Sequence, residues 1–326
     1  MSPIRWGLLG TARINRLIIP AIRASARSAV HAVASRDAAR GQAYAGIWNI
    51  PNVCASYDAL LASDIDIVYV SLPNSLHVPW TLRAVMAGRH VLCEKPLALT
   101  PDDARRVSGA AAAARVVVFD GFMYRHHAQS PRIAEVIASG AIGTLRMLAG
   151  GFTYVQNREH DVRLDPALGG GALWDIGCYP VHFGQWLAGA KAASVVATAD
   201  IGTSGVDERV AGVVTYANGA TLNFFAGFRA AYDTHMHIVG TEGTLDVPRP
   251  YRPDIDSHIV LRRGDEIQRI DTAGNAPFVD EVRDMEDAVL GMKPPPVALE
   301  ESRTLAATIV AIHESAGTGT ARHVVD

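Results

Sequence analysis

IRWGLLGTARIN, residues 4–15, is the stretch on which the fold turns. Residues 4–10 are an apolar run closed by a glycine, the pattern of a buried strand, and 13–25 carry a helical apolar pattern with Pro20 as an expected kink. Between them GTARIN, 10–15, makes a tight strand-to-helix turn. Free backbone N–H groups and the positive helix end meet at such a turn, which suits a dinucleotide pyrophosphate. Gly10 takes the first glycine position of the G-x-G-x-x-G fingerprint, while Ala12 and Asn15 replace the second and third. Thr11, Arg13 and Ile14 complete the candidate cradle; a tight turn without a ligand stays open on these residues alone.

Outward from this stretch, strands are expected at 30–36, 66–72, 90–95 and 115–121, and helices at 37–46, 56–62, 77–88 and 101–114. Short Val/Ile-rich strands alternating with helices imply βαβ units: an α/β Rossmann domain with a mostly parallel, doubly wound sheet. After about residue 122 strands follow one another, at 146–157, 193–200, 208–216, 220–228, 233–239, 243–247 and 258–263. With helices at 130–138, 173–187, 278–290 and 299–315, this predicts an α+β domain with a large, mainly antiparallel open sheet. Asn218-Gly219 reads as a hairpin with a type I′ turn, in which both central residues need positive φ. GMKPPP at 291–296 is a stiff connector that sets the last helix apart.

The 326 residues suffice for two buried cores. The net charge is −3 and no run of Lys/Arg occurs, so the footprint of nucleic-acid binding is missing. Apolar stretches fall short of the roughly 20 residues that cross a bilayer. MSPIR leads into WGLLG without a signal-peptide pattern, and a cytoplasmic location is expected. Cys54, Cys93 and Cys178 lack a C-x-x-C pair and read as reduced thiols. Neither they nor the scattered histidines offer ligand spacing, so no metal is expected.

Four further places carry candidate chemistry. ASR, 34–36, ends the second strand, where an NAD-specific site holds an acid against the ribose 2′-hydroxyl. Ser35 and Arg36, with Arg40 one helical turn on, suit a 2′-phosphate instead, which favours NADP over NAD. The alternative is a solvated Arg36 beside Asp37 capping the next helix. LPNSLH, 72–77, and CEKP, 93–96, stand at carboxyl ends of strands, where open parallel sheets bind ligands; Leu72, Pro73, Asn74, His77, Glu94 and Lys95 are candidates. For His77 a capping role and a site role are both open. Lys95 is read either as a desolvated base, as a source of positive charge for a neighbouring acid–base group, or as an ordinary surface lysine.

The densest stretch is NREHDVRLDPALGGGALWDIGCYPVH, 157–182. Its three glycines, 169–171, bring backbone close to something, and a helix follows in which Asp175, Tyr179 and His182, at spacings of four and three, share a face. Such a face lines a polar cavity or forms a satisfied core network. Tyr179 is the natural proton donor or acceptor, once a nearby ammonium lowers its pKa from about 10.

GTARI, ASR, PNSLH, CEKPLALT, FMYRHHAQ (122–129), RLDPALGGGALWDIGCYP (163–180) and IVGTEGTLDV (238–247) occur in that order. Together they resemble the Gfo/Idh/MocA oxidoreductases over nearly the whole chain. Within that family the chain is most similar to the branch of glucose–fructose oxidoreductase, NADP-dependent xylose dehydrogenase and dimeric dihydrodiol dehydrogenase, in which Tyr stands where many members carry His; Tyr179 is the matching position. The resemblance implies that Lys95 belongs to the E-K-P motif, that Asp175 and Tyr179 flank the substrate, and that Arg125 and Arg163 are the family's arginines near the active cleft. Trp174 and His182 join the implied substrate side and Arg125 the cofactor side. His182 departs from the acidic residue or Asn common in relatives, and Ala128 from the usual Pro. The domains implied are 1–122, with the C-terminal helix 297–326 packing back on it, and 123–296 for substrate and oligomerisation.

The expected activity is an NADP-dependent oxidoreductase that transfers a hydride between the nicotinamide and a sugar or related polyhydroxy compound, with Tyr179 and Lys95 as acid/base pair. A trans-dihydrodiol dehydrogenase is the alternative of the same family, with its aromatic substrate near Trp174 and Phe152. A non-catalytic dinucleotide-binding sensor is the alternative of another class. A homodimer or homotetramer is expected through the second domain's sheet, where LNFFAGF (222–228) and VAGVVTY (210–216) offer apolar residues and too few helices follow residue 140 to cover both faces.

Overall fold

The computed structural model describes residues 2–325, so the expected domain limits Met1 and Asp326 lie outside the described residues. The elements run β1 (Ile4–Leu9), α1 (Asn15–Ala24), β2 (Ser28–Ala34), α2 (Ala38–Trp48), β3 (Asn52–Cys54), α3 (Tyr57–Ala62), β4 (Ile67–Val70), α4 (His77–Met86), β5 (His90–Glu94), α5 (Pro101–Ala114) and β6 (Val118–Gly121). They continue with α6 (Gln129–Ala138), β7 (Leu145–Val155), α7 (Cys178–Ala188), β8 (Ala192–Ile201), β9 (Asp207–Tyr216), β10 (Thr221–Gly227), β11 (Arg229–Gly240), β12 (Thr244–Val247), β13 (His258–Arg263), β14 (Glu266–Asp271), α8 (Pro277–Val289), α9 (Leu299–Thr318) and β15 (Arg322–His323). The chain forms two compact units: Met1–Ala98, Asp102–His126 and Phe278–Glu300 make the first, and Leu99–Pro101, His127–Pro277 and Glu301–Asp326 the second.

In the first unit all six strands are parallel, in the order β3-β2-β1-β4-β5-β6. The strand order reverses between β1 and β4, and this switch point opens a crevice at the carboxyl ends where doubly wound sheets bind ligands. β4 is buried along its whole length, as a strand covered by helices on both faces must be. One sheet face packs Leu9, Val68, Val70, Val91 and Cys93 against α4 and α5 residues such as Val85, Ala104 and Val107. The other packs Trp6, Leu8, Tyr69 and Phe119 against Ile18, Ile19 and Ile22 of α1 and Val282, Met285 and Ala288 of α8.

That last helix, α8, belongs to the first unit. The helix packed into this Rossmann core is α8, whereas Glu301–Asp326, the body of α9 and all of β15, belongs to the second unit. Residues 282, 285 and 288 make an apolar stripe at helical spacing, and Arg27 beside β2 pins the same helix through Glu286 (2.8 Å) and Asp287 (2.7 Å). In the second unit β15 pairs with the edge strand β8, and the Ala197 amide donates to Ser315 Oγ of α9 at 3.0 Å.

The second unit is built on a nine-stranded sheet in the order β14-β13-β12-β11-β7-β10-β9-β8-β15. It is antiparallel except where β7 and β10 run parallel at its centre. Residues alternate along β8 and β9: Val195, Ala197, Val210 and Val214 are buried while Val196 and Val213 are exposed. The β9–β10 turn differs from the expected type I′. Ala217, Asn218 and Gly219 form a three-residue loop in which Gly219 N donates to Tyr216 O (2.9 Å), and only Gly219 takes positive φ, +83°. A type I turn followed by one left-handed residue needs glycine only at its third position, and Asn218 instead donates its side chain to Ala188 O. No helix of the described residues is long and apolar enough to cross a membrane. Cys54 is half-buried, Cys93 and Cys178 are buried, and all three are free thiols.

Candidate active site

In the first unit the candidate residues stand along the carboxyl edge of the parallel sheet. Gly10 leaves β1 with φ +106°, and a Cβ there would meet Leu72 Cδ2 at 3.0 Å. The fingerprint's missing third glycine has a physical substitute: Asn15 is fully buried and its side chain donates to Gly10 O at 3.0 Å, locking the turn from within. α1 begins only at Asn15, so the positive helix end faces the turn formed by Thr11, Ala12, Arg13 and Ile14.

At the end of β2, Asp37 is committed as the cap of α2, accepting from Arg40 N at 2.9 Å. The acid closest to the ribose position is therefore occupied, which leaves the buried Ser35 and the exposed Arg36 there. Arg40 reaches across from α2 to donate to Thr11 O at 3.3 Å. The cradle thus fits a dinucleotide with an anionic 2′-substituent.

Leu72, Pro73 and Asn74 lead from β4 into a short 3₁₀ turn, 74–76, ahead of α4. His77, a site candidate from sequence, is instead a strut. It is 1% exposed, and its ring nitrogens lie 2.8 Å from Pro96 O and 2.7 Å from Leu72 O, which ties the β4 exit to the Glu94-Lys95-Pro96 turn. Burial pushes its pKa down against the pull of the two carbonyls. The Lys95–Pro96 bond is cis. Leu97 N donates to the buried Asp120 at 3.2 Å, and Tyr69 OH donates to Glu94, so both flanks of Lys95 are anchored. Arg125 donates to Pro296 O at 3.0 Å.

Beneath this edge lies a group of buried acids that sequence reasoning missed. Glu281 of α8 is 1% exposed, and burial, then Glu94, Asp120 and Asp284, push its pKa well above the carboxylate range. His126 stacks on Phe119 and sits 2.8 Å from Asp284; burial outweighs that carboxylate and lowers its pKa. Nothing in the local sequence of α8 distinguishes an acid turned inward from one on the solvated face.

In the second unit the candidate residues are carried by the segment from Leu173 to Ala188, which opens with a π turn at Leu173–Gly177 before α7 begins. Asp175 lies in that turn. Its Oδ2 accepts from Arg163 Nε at 2.8 Å and from Tyr154 OH at 2.9 Å, and Arg163 also pairs with Asp161 at 3.0 Å. Tyr154, on β7, is a partner that the sequence did not reveal. The Tyr179 ring packs against both Phe152 (5.7 Å) and Tyr251 (5.6 Å), which stack on one another at 5.9 Å.

The three ionisable groups expected on one face have different surroundings. Asp175 joins Arg163 and Tyr154, Tyr179 joins the aromatic group, and His182, fully buried, lies 3.4 Å from Glu301 of α9. The π turn accounts for part of this, since it breaks the 3.6-residue periodicity between Asp175 and Tyr179. Trp174 is likewise buried, its ring 5.8 Å from that of His313.

Comparison with known proteins matches the two units separately. Residues 4–122 match an oxidoreductase family with an NAD-binding Rossmann fold, and 131–246 match the GFO/IDH/MocA C-terminal domain. The chain is 37% identical over 322 residues to D-xylose 1-dehydrogenase (NADP(+)) 2 of Haloferax volcanii, covering 97% of this chain and 98% of that protein. It is 32% identical over 251 residues to trans-1,2-dihydrobenzene-1,2-diol dehydrogenase of Xenopus laevis, covering 75% of each. The crystal structure of a 3-ketoreductase from Actinomadura kijaniata with NADP and TDP-benzene is similar with a TM-score of 0.90 at 30% identity, over 96% of this chain and 98% of its own. With a dinucleotide cradle, an E-K-P turn and a tyrosine-bearing helix in family order, the chain belongs to the GFO/IDH/MocA oxidoreductases.

Proposed function

We propose that this protein is an NADP-dependent oxidoreductase of a sugar or related polyhydroxy compound, an aldose or keto-sugar. The observation that carries the reading is the carboxylate of Asp175, held by Arg163 and Tyr154 on the segment that bears Tyr179. A fixed carboxylate of this kind orients hydroxyl groups, of which a sugar presents several along its length and a dihydrodiol only two. NADP bound at the Gly10 cradle supplies the hydride acceptor or donor. Gly10 to Ile14 hold the pyrophosphate, and Ser35, Arg36 and Arg40 hold the 2′-phosphate. Tyr179 exchanges the proton of the reacting hydroxyl or carbonyl, and Lys95 contributes the positive charge that favours the phenolate. Arg163 keeps Asp175 in place.

A second reading, a trans-dihydrodiol dehydrogenase, draws on the aromatic rings of Phe152 and Tyr251 against Tyr179 and on the Xenopus relative. NADP reduction measured against aldoses, inositols and trans-dihydrodiols, with NADPH oxidation measured against keto-sugars, decides between them. Turnover on aldoses supports the first reading; turnover confined to dihydrodiols replaces it with the second.

The exposed face of the second sheet also supports a homo-oligomer. Val196 (51% exposed) and Val213 (36%) stand on it beside Ala149, Ala211 and Phe225. A second copy laid on this face removes that apolar surface from water.

A further inference from the structure

The triple glycine at 169–171 and the buried acid Asp207 explain one another. The segment bearing Asp175 and Tyr179 starts at Ala172–Leu173 behind three glycines, so its own sequence holds no Ser, Thr, Asp or Asn to cap the opening amides. Asp207, 34 residues later at the start of β9, supplies that cap: its Oδ2 accepts from Leu173 N at 2.7 Å, and the Ala172 amide bonds to the same carboxylate. Gly171 takes φ +117°, and a Cβ there would stand 2.3 Å from Asp207 Oδ1. A Cβ on Gly170 would stand 2.6 Å from Arg163 O and 2.8 Å from Asp165 O. Two of the three glycines are therefore required by close approaches, one to the loop that carries Arg163 and one to the Asp207 carboxylate. Asp175 N then donates to Gly171 O at 3.0 Å, so the residue beside the cap also fixes the turn that holds Asp175.

We propose that Asp207 is a positioning residue: a carboxylate cap, supplied from β9, that sets where Asp175 and Tyr179 stand by holding the amides of Ala172 and Leu173. The proposal rests on the reading of Tyr179 as the proton-exchanging group.

Asp207 is 4% exposed, and burial raises its pKa to about 6 although three amides pull it down. A buried carboxylate with a raised pKa destabilises the fold at neutral pH, a cost that simple space filling does not require. The charges on neighbouring elements have their own partners: Arg209 with Asp200 of β8, Glu208 with Arg229 of β11, and Arg163 with Asp161 and Asp175; β10 carries none. As pH falls through about 6, Asp207 takes up a proton, becomes a poorer acceptor for the amides, and the cap weakens.

Two variants test this, read by amide hydrogen exchange over 172–178 and by steady-state kinetics across pH. In Asp207→Asn, exchange at 172–178 is expected to rise about tenfold at fixed pH and kcat to fall about tenfold, with the NADP dissociation constant within twofold of the parent. The activity loss centred near pH 6 should vanish with the carboxyl. Gly171→Ala displaces the carboxylate without neutralising it, so exchange and kcat should move the same way while the acid limb persists. Unchanged exchange in both variants overturns the cap, and raised exchange with unchanged kcat overturns its positioning role. A parent enzyme inactive on every sugar and diol removes the catalytic reading, and the exchange data then decide the cap alone.

Discussion

Glu281 in the first unit and Asp207 in the second are both almost fully buried carboxyl groups, and their surroundings have opposite sign. Glu281 faces Glu94, Asp120 and Asp284, which add to the burial penalty and keep its proton on well above the carboxylate range. Asp207 faces the amides of Ala172, Leu173 and itself, which offset much of the same penalty, and its pKa stops at about 6. The surroundings of Glu281 favour its protonated form, whereas those of Asp207 leave it ionised above about pH 6. The comparison separates two ways of holding a buried carboxyl group. The parallel sheet presents backbone N–H groups and a helix end at its edge, with buried acids behind them. The second unit places ionised carboxylates on a helix start and anchors each by donors brought from elsewhere in the chain.

The largest effect should come from the residues that each unit contributes to the chemistry. Lys95→Ala and Tyr179→Phe should each lower turnover by about 10²–10⁴ with dinucleotide affinity largely kept. Their effects should not multiply; a double variant that loses the product of the two shows that Lys95 and Tyr179 act independently and overturns the proposed acid/base pair.

Next in size is the cofactor edge of the first unit. Arg36→Ala should raise the NADP dissociation constant about tenfold or more, the loss of a charge-assisted fork of about 1.5–3 kcal/mol, and leave NAD affinity unchanged. Equal binding of NADP and NAD by the parent protein sinks the assignment. In the second unit, light scattering at micromolar concentration should give at least twice the 34.8 kDa of one chain. A monomer mass means the exposed sheet face is tolerated in water.

The smallest effect sharpens the contrast between the two acids. Unfolded, Glu281 ionises near 4.3; folded, it keeps its proton well above that, so the folded state binds more protons in between and stability falls as pH rises through this window. Glu281→Gln, neutral at every pH, should gain about 1 kcal/mol at pH 8, a rise of about 2–4 °C in melting temperature, and nothing at pH 4. Asp207 has the same sign, but its slope ends near pH 6, so the difference between parent and Glu281→Gln above that pH does not come from Asp207. A loss of stability in Glu281→Gln at pH 8 shows an ionised, paired glutamate instead.

Legibility in the sequence follows the same division. The parallel sheet and its helices were readable because buried strands leave apolar runs and helices leave a 3.6-residue stripe; α5 begins and ends where its pattern does. β3 has only three residues and β14 is a polar edge strand, so neither leaves a period to detect. The glycine at 10 was readable because a positive φ at a strand's end calls for that residue type.

Tertiary structure alone decided the rest. That the Gly170 and Gly171 backbones approach Arg163 O and Asp207, that Asp175 takes Arg163 and Tyr154, and that His77 and His182 are buried against Leu72, Pro96 and Glu301 are facts about partners 5 to 119 positions away. Local sequence determines which amides and helix ends a segment offers, since those depend on backbone conformation and short-range periodicity. Which side chain becomes an ionised cap, a neutral acid or a strut depends on burial and on the charges that folding sets around it, and these come from distant residues.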